Sequence, residues 1–114
     1  MRHLTSDEKY VIREIALRLP DAERKALLSD MEHATAQTMP SVRSRITFMI
    51  AGYERPAYQG QHPFRVEGKV QDRDGSEISV LLYADENGRL LELELVRFDE
   101  GEVIEPDWST MRLW

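Results

Sequence analysis

The sequence predicts an α+β domain in which two N-terminal helices pack on a four-stranded antiparallel meander sheet. Apolar residues recur with the helical period as far as about residue 36, and with a period of two between about residues 45 and 97. Turn sequences rich in Asp, Asn and Gly separate the later segments, so neighbouring segments should form hairpins. Helices followed by consecutive strands are typical of a domain whose helices cover one face of a sheet.

The whole chain is predicted to be one domain. Its 114 residues suffice for one compact core but not for two, since domains cluster at about 100–150 residues. We divide residues 1–114 into helices at about 6–36, a sheet at about 45–97 and an acidic tail at 98–114. No run approaches the ~18 apolar residues that a membrane span needs. A charged helix stands where a secretory signal would be apolar, so we expect a cytoplasmic protein with no membrane partner.

Both helices carry start and stop signals. Thr5 and Glu8 have the spacing of a capping box, which places the start of the first helix at about Ser6. Its apolar stripe consists of Val11, Ile12, Ile15, Ala16 and Leu19. Pro20 ends this helix, and Asp21 can cap a second one that is predicted to end near Ala36. The second apolar face consists of Leu27, Leu28, Met31 and Ala34.

Four strands are predicted after a connection at residues 35–44, where the side chains are small or polar. Alternating apolar residues place the strands at 45–50, 64–70, 78–82 and 89–96. Gly75 and Gly88 close the two turns between the later strands, because glycine tolerates positive φ.

The charge of the chain is concentrated in its second half. Residues 58–114 carry thirteen acidic and six basic side chains, whereas residues 1–57 carry eight and nine. Near the C-terminus, Arg97 alone opposes seven acidic residues, and Trp108 and Trp114 follow. A one-sided negative field beside aromatic rings favours a basic protein partner and repels phosphate. Because the basic residues are dispersed, we expect no nucleic-acid binding.

The residues that carry catalytic or metal chemistry are few. With no cysteine, the chain has neither disulfides nor thiolate sites. His3, His33 and His62 lie far apart and lack ligand spacing, so no metal and no cofactor are expected. No nucleophile elbow or phosphate-binding glycine loop is present. Glu92 and Glu94 share a strand face as paired glycosidase acids could, but we favour a solvated strand face. We therefore predict no catalytic residue and no enzyme.

A long connection at residues 52–63 offers a second binding patch. Tyr53, Arg55 and Tyr58 are residue types that are enriched at protein interfaces. Loops of this length are often binding loops. The alternative, a loop folded onto the sheet with half-buried tyrosines, is equally compatible with the sequence.

Three motifs carry a resemblance to known proteins. These are Arg2-x-Leu4-Thr5-x-x-Glu8, the turn Asp72-x-Asp74-Gly75 and the run from Asp85 to Glu94. They resemble a family of small uncharacterised bacterial α+β proteins. The architecture is also similar to the immunity proteins of contact-dependent growth inhibition and related polymorphic toxin systems. The resemblance implies a bacterial antitoxin that forms a heterodimer with a cognate toxin.

The resemblance and the charge together lead to a functional hypothesis. A nuclease that holds phosphates has a positive cleft, which an acidic protein can occlude. We therefore expect an immunity protein that neutralises an RNase or DNase toxin by blocking its active site. The expected contact residues are Glu92, Glu94, Asp99, Glu100, Glu102, Glu105, Asp107 and Trp108, with Tyr53, Arg55 and Tyr58 as the second patch. The alternative is a cytoplasmic adaptor or housekeeping domain whose acidic tail only aids solubility.

Overall fold

The structure is a computed structural model that describes residues 1–39, 42–99 and 101–114. It confirms an α+β domain with two helices and an antiparallel sheet. The helices are α1 (Ser6–Ala16) and α2 (Asp21–Glu32), and the strands are β1 (Ala34–Met39), β2 (Val42–Ile50), β3 (His62–Pro63), β4 (Gly68–Asp72), β5 (Glu77–Ala84), β6 (Leu90–Arg97) and β7 (Pro106–Leu113). The sheet thus has seven strands, and the predicted number of four is wrong.

The helix starts follow the local sequence signals. The Thr5 hydroxyl accepts a hydrogen bond from the Glu8 amide at 3.1 Å, and the Glu8 carboxylate accepts one from the Thr5 amide at 2.9 Å. This capping box is the predicted one. The buried residues of α1 are Val11, Ile12, Ile15 and Ala16 as predicted, with Glu8. Helix α2 ends at Glu32 and not near Ala36, because Ala34 already begins a strand.

Strand β1 replaces much of the predicted connection at residues 35–44. It pairs with β2, with Ala34 opposite Ile50 and Ala36 opposite Phe48. Ala36 and Phe48 are fully buried, so this hairpin adds a small-residue stripe to the core. Residues 40 and 41 lie outside the described residues.

The centre of the sheet is the predicted meander of β4, β5 and β6. The strand order is β1-β2-β6-β5-β4-β7, with β3 paired to the end of β5. Ile78, Val80 and Leu82 alternate along β5 and are buried. These side chains share one hydrophobic core with α1, α2 and the apolar residues of β2 and β6. The predicted strand at 64–70 begins only at Gly68.

The predicted acidic tail at 98–114 is wrong in its second half, where β7 joins the sheet. Strand β7 pairs antiparallel with β4, with Leu113 opposite Gly68. A Cβ atom on Gly68 would lie 2.7 Å from Leu113 Cδ2, so any other residue here would force the Leu113 side chain to move. The half-buried side chains of Trp108, Met111 and Leu113 pack against the core.

Both outer edges of the sheet are modified. On β1, the backbone of Arg2 exchanges two hydrogen bonds with Ala36, of 2.9 and 2.7 Å. On β7, the register slips between the pairs Lys69–Arg112 and Gln71–Asp107, which leaves a wide bulge in the edge strand. Such features prevent an edge from pairing with another chain.

Candidate functional site

Asp72 and Arg97 form a buried ion pair beneath the acidic segment. The Asp72 side chain is fully buried, and it accepts a hydrogen bond from Arg97 Nη1 at 2.9 Å. It also accepts backbone hydrogen bonds from Ile104 at 2.8 Å and Glu105 at 2.7 Å. Asp72 therefore anchors the segment that connects β6 to β7.

Hydrogen bonding keeps the Asp72 carboxylate charged despite its burial. Burial by itself would raise the pKa of Asp72. The amides of Ile104, Glu105 and Arg73 and the Arg97 guanidinium outweigh burial and hold the pKa below its ordinary value.

Arg97 also binds Asp99, one of the predicted contact residues. Its guanidinium contacts the Asp99 carboxylate, which in turn accepts a hydrogen bond from the Ser76 hydroxyl at 2.9 Å. Asp74 lies 3.0 Å from the same guanidinium. The hydrogen bond from Arg97 lowers the pKa of Asp99. Asp99 is thus an internal counter-ion of Arg97, which it shares with Asp72 and Asp74.

Glu92 and Glu94 share a single cation on the sheet face that carries no helix. Arg45 reaches both carboxylates, at 2.6 Å in each case. The contact of Arg45 Nε with Glu92 Oε1 is not aligned as a hydrogen bond. Glu92 is only 7% exposed and also accepts a hydrogen bond from Gln61. Both predicted carboxylates are therefore paired within the protein. Burial, followed by the charges of Glu94 and Glu92, raises the pKa of the neighbouring Tyr83.

Tyr53 and Arg55 attach the long connection to the body of the protein. Both side chains donate to Asp85, at 2.6 Å from the Tyr53 hydroxyl and 2.8 Å from Arg55 Nη1. Arg55 Nη2 donates to the carbonyl oxygens of Phe48 and Leu90. The guanidinium of Arg89, which binds Asp30, lies 4.2 Å from the Tyr53 ring centroid. Tyr53 and Arg55 therefore belong to a network of contacts that holds the structure together.

The other predicted contact residues differ in exposure. Tyr58 is 70% exposed, and Glu102, Glu105 and Asp107 are also exposed. Trp108 is half-buried against the core. Glu100 lies outside the described residues.

A groove brings together the carboxylates of Asp7, Glu105 and Asp107. It has a volume of about 520 Å³ and is lined by residues from α1, from the turn between β4 and β5, and from the start of β7. Its lining includes Asp7, Glu105, Asp107, Arg73 and Trp108. We call it the acidic groove.

The carboxylates of the acidic groove have few cationic partners within the described part of the protein. Among the described residues, no cation lies within 4.0 Å of Asp7 or Asp107. Glu105 is 3.8 Å from Arg73, and both side chains are well exposed, so their pairing is weak. The Asp107 carboxylate accepts hydrogen bonds from the amide and the hydroxyl of Ser109. The groove is therefore a site of unbalanced negative charge beside an indole ring.

Asp7 was missed by the sequence analysis. It lies in the first turn of α1, where an acidic residue favours the helix dipole and attracts no further notice. Only the packing of α1 beside the β7 end of the sheet brings it to Glu105 and Asp107.

The described part of the chain contains neither a membrane-spanning helix nor a cluster of metal-ligand side chains. Neither helix there has the length or the apolar content that a membrane span requires. No group of three or more His, Cys, Asp or Glu side chains within residues 1–39, 42–99 and 101–114 could hold a metal ion.

The chain matches a known protein family over most of its length. A family model described as a domain of unknown function (DUF6984) matches residues 1–107. No curated protein and no solved structure matched the chain.

Proposed function

The chain belongs to the DUF6984 family of domains of unknown function, and we propose that it is an immunity protein that inhibits a cognate nuclease toxin. In this proposal the acidic groove docks on the basic active site of the toxin, in the cytoplasm of a bacterium. The observation that carries the proposal is the convergence of Asp7, Glu105 and Asp107 in one groove.

The acidic groove is favoured because Glu92, Glu94 and Asp99, three of the other predicted acids, already have internal partners. Arg45 pairs with Glu92 and Glu94, and Arg97 pairs with Asp99. A carboxylate that is already paired with an internal cation contributes little to the field that a distant partner experiences. Unpaired carboxylates contribute most to this field, and a field of one sign speeds association with an oppositely charged protein.

The charge of the groove is complementary to that of a phosphate-binding cleft. A nuclease must hold the phosphates of its substrate with cationic side chains. Carboxylates held at a similar spacing can bind those cationic side chains in place of the substrate phosphates. The half-buried indole of Trp108 adds apolar contact area beside the charges.

The test uses the protein found to bind the immobilised chain in a lysate of the native cell. We expect this protein to be a basic nuclease whose activity the chain inhibits. Reversal of Asp7, Glu105 and Asp107 to Lys should slow association at least tenfold at low salt. The association rate of the wild type should fall as the salt concentration rises from about 50 to 500 mM, because ions screen exposed charges.

The matched control changes the net charge equally at a different place. Glu23, Glu54 and Glu86 are exposed, and their reversal to Lys should slow association much less. Equal effects of the two triple variants would show that net charge acts without a specific groove. A basic partner without nuclease activity would refute toxin inhibition and favour an adaptor.

A further inference from the structure

We propose that the sheet face opposite the helices is the interface of a homodimer, in which a second copy of this chain packs its own face against it. This open face consists of alternate residues of the strands. It includes Arg45, Thr47 and Met49 on β2, Glu92, Glu94 and Val96 on β6, Ser79, Leu81 and Tyr83 on β5, and Lys69 and Gln71 on β4.

The middle of the open face is apolar. Leu81 and Val96 lie on the two central strands, with Tyr83 next to Leu81 along β5. All three side chains are only half-buried, although no helix covers them. Met49 and Trp114 lie towards the margins and are 49% and 54% exposed. An apolar sheet face of this kind usually packs against another layer.

The charges of the open face are paired within it, which favours a copy of itself over a charged partner. Arg45 binds Glu92 and Glu94, while Lys69 and Arg112 lie 2.7 and 3.5 Å from Glu77. These six charges cancel. Glu67 and Asp107, which lies opposite Gln71, add two carboxylates at the margins, so the unbalanced charge of this face lies away from its centre. Two such faces can therefore meet without strong repulsion.

The size of the open face suits a stable dimer. Six strands at about 4.8 Å spacing and about 26 Å length give a planar area of about 750 Å². A standard protein interface buries about 800 Å² on each partner. Edge pairing is disfavoured as the route to a dimer, since Arg2 occupies β1 and a bulge disrupts β7.

The strand order predicts where the two-fold axis lies. In the order β1-β2-β6-β5-β4-β7, the middle falls between β6 and β5. An axis parallel to the strands at this point makes the contact isologous. It places Ser79 of each copy over Val96 of the other, because Ser79 and Val96 are register partners on β5 and β6.

The absence of cysteine allows a specific cross-linking test. Ser79→Cys introduces one thiol near the proposed axis, and Ser29→Cys introduces one on the exposed surface of α2. A bis-maleimide of about 10 Å matches the spacing of packed sheets. We expect covalent dimers from Ser79→Cys and few from Ser29→Cys. Equal yields would overturn the proposal.

Analytical ultracentrifugation gives an independent measurement. The wild type should sediment as a dimer at about 100 µM, a concentration at which even micromolar affinity saturates. Leu81→Lys and Val96→Lys should yield folded monomers, as judged by circular dichroism. The control Leu17→Lys, which changes a 64% exposed residue at the C-cap of α1, should stay dimeric. A monomeric wild type, or folded variants that remain dimeric, would refute the interface.

Discussion

Replacing Asp72 with Asn should destabilise the protein more than any other single carboxylate-to-amide change. The carboxylate accepts four hydrogen bonds of 2.7–2.9 Å, from Arg97 Nη1 and the amides of Arg73, Ile104 and Glu105. An Asn side chain has one oxygen, so its amide nitrogen would face at least one of these donors. The substitution also leaves Arg97 without its buried partner.

The expected loss follows from the burial of the pair. Removing one partner of a buried ion pair costs about 3–5 kcal/mol. Arg97 retains its contacts with Asp74 and Asp99, so the lower end, about 3 kcal/mol, is expected for Asp72→Asn. With a urea dependence of about 1.5 kcal/mol per molar, the unfolding midpoint should fall by about 2 M.

The control for this experiment is Asp74→Asn, which removes an exposed contact to the same guanidinium. Equilibrium urea unfolding should give it a much smaller shift in midpoint. Limited proteolysis should cut Asp72→Asn between residues 101 and 105, where Asp72 anchors the backbone. Equal midpoints for the two variants would refute the reasoning that burial makes Asp72 dominant.

Two further predictions concern stability. Arg55→Lys should lose about 1–2 kcal/mol, because a lysine cannot reach Asp85, Phe48 and Leu90 together as the guanidinium does; unchanged urea unfolding would mean that the three contacts contribute nothing to folding. The pH dependence should follow Glu8, Asp72 and Asp85, whose pKa values lie below those of the unfolded chain. Their contribution is present above the unfolded values, which are about 4, and is lost as the pH falls through the lower folded values. Urea midpoints should therefore be nearly constant from about pH 5 to 7 and decrease below about pH 4, and an increase on acidification would contradict the assignment.

The parts of the fold that follow from short-range signals were predictable. The capping box of Thr5 and Glu8 and the apolar stripe of α1 are local patterns, and the structure confirms both. Strands β5 and β6 alternate clearly and flank a turn with Gly88 at positive φ. In these elements the burial of one face is visible in the order of the residues.

Strands β1 and β7 were missed for different reasons. The inward residues of β1 are Ala34 and Ala36, which fit a helix as well as a strand by composition. Strand β7 pairs with β4, more than thirty residues earlier in the chain, and its apolar residues are interrupted by a bulge. No local period reveals such a strand.

The pairing of the charged residues in the candidate site was also not predictable from the sequence. Counting acids predicted a negative surface, but only the fold shows which acids are neutralised. Arg45 reaches Glu94 from 49 positions away in the sequence, and Arg97 reaches Asp72 from 25. Asp7 joins Glu105 and Asp107 only through packing at the end of the sheet.

The position of β7 has a consequence for biosynthesis. This strand follows all the others in chain order, yet its partner β4 lies near the middle of the chain. As the polypeptide leaves the ribosome, β4 and β5 can form their hairpin while the outer side of β4 is still bare. An uncovered strand is prone to recruit neighbouring nascent chains. The interval before β7 arrives is therefore the stage of synthesis at which chaperones would protect this protein most.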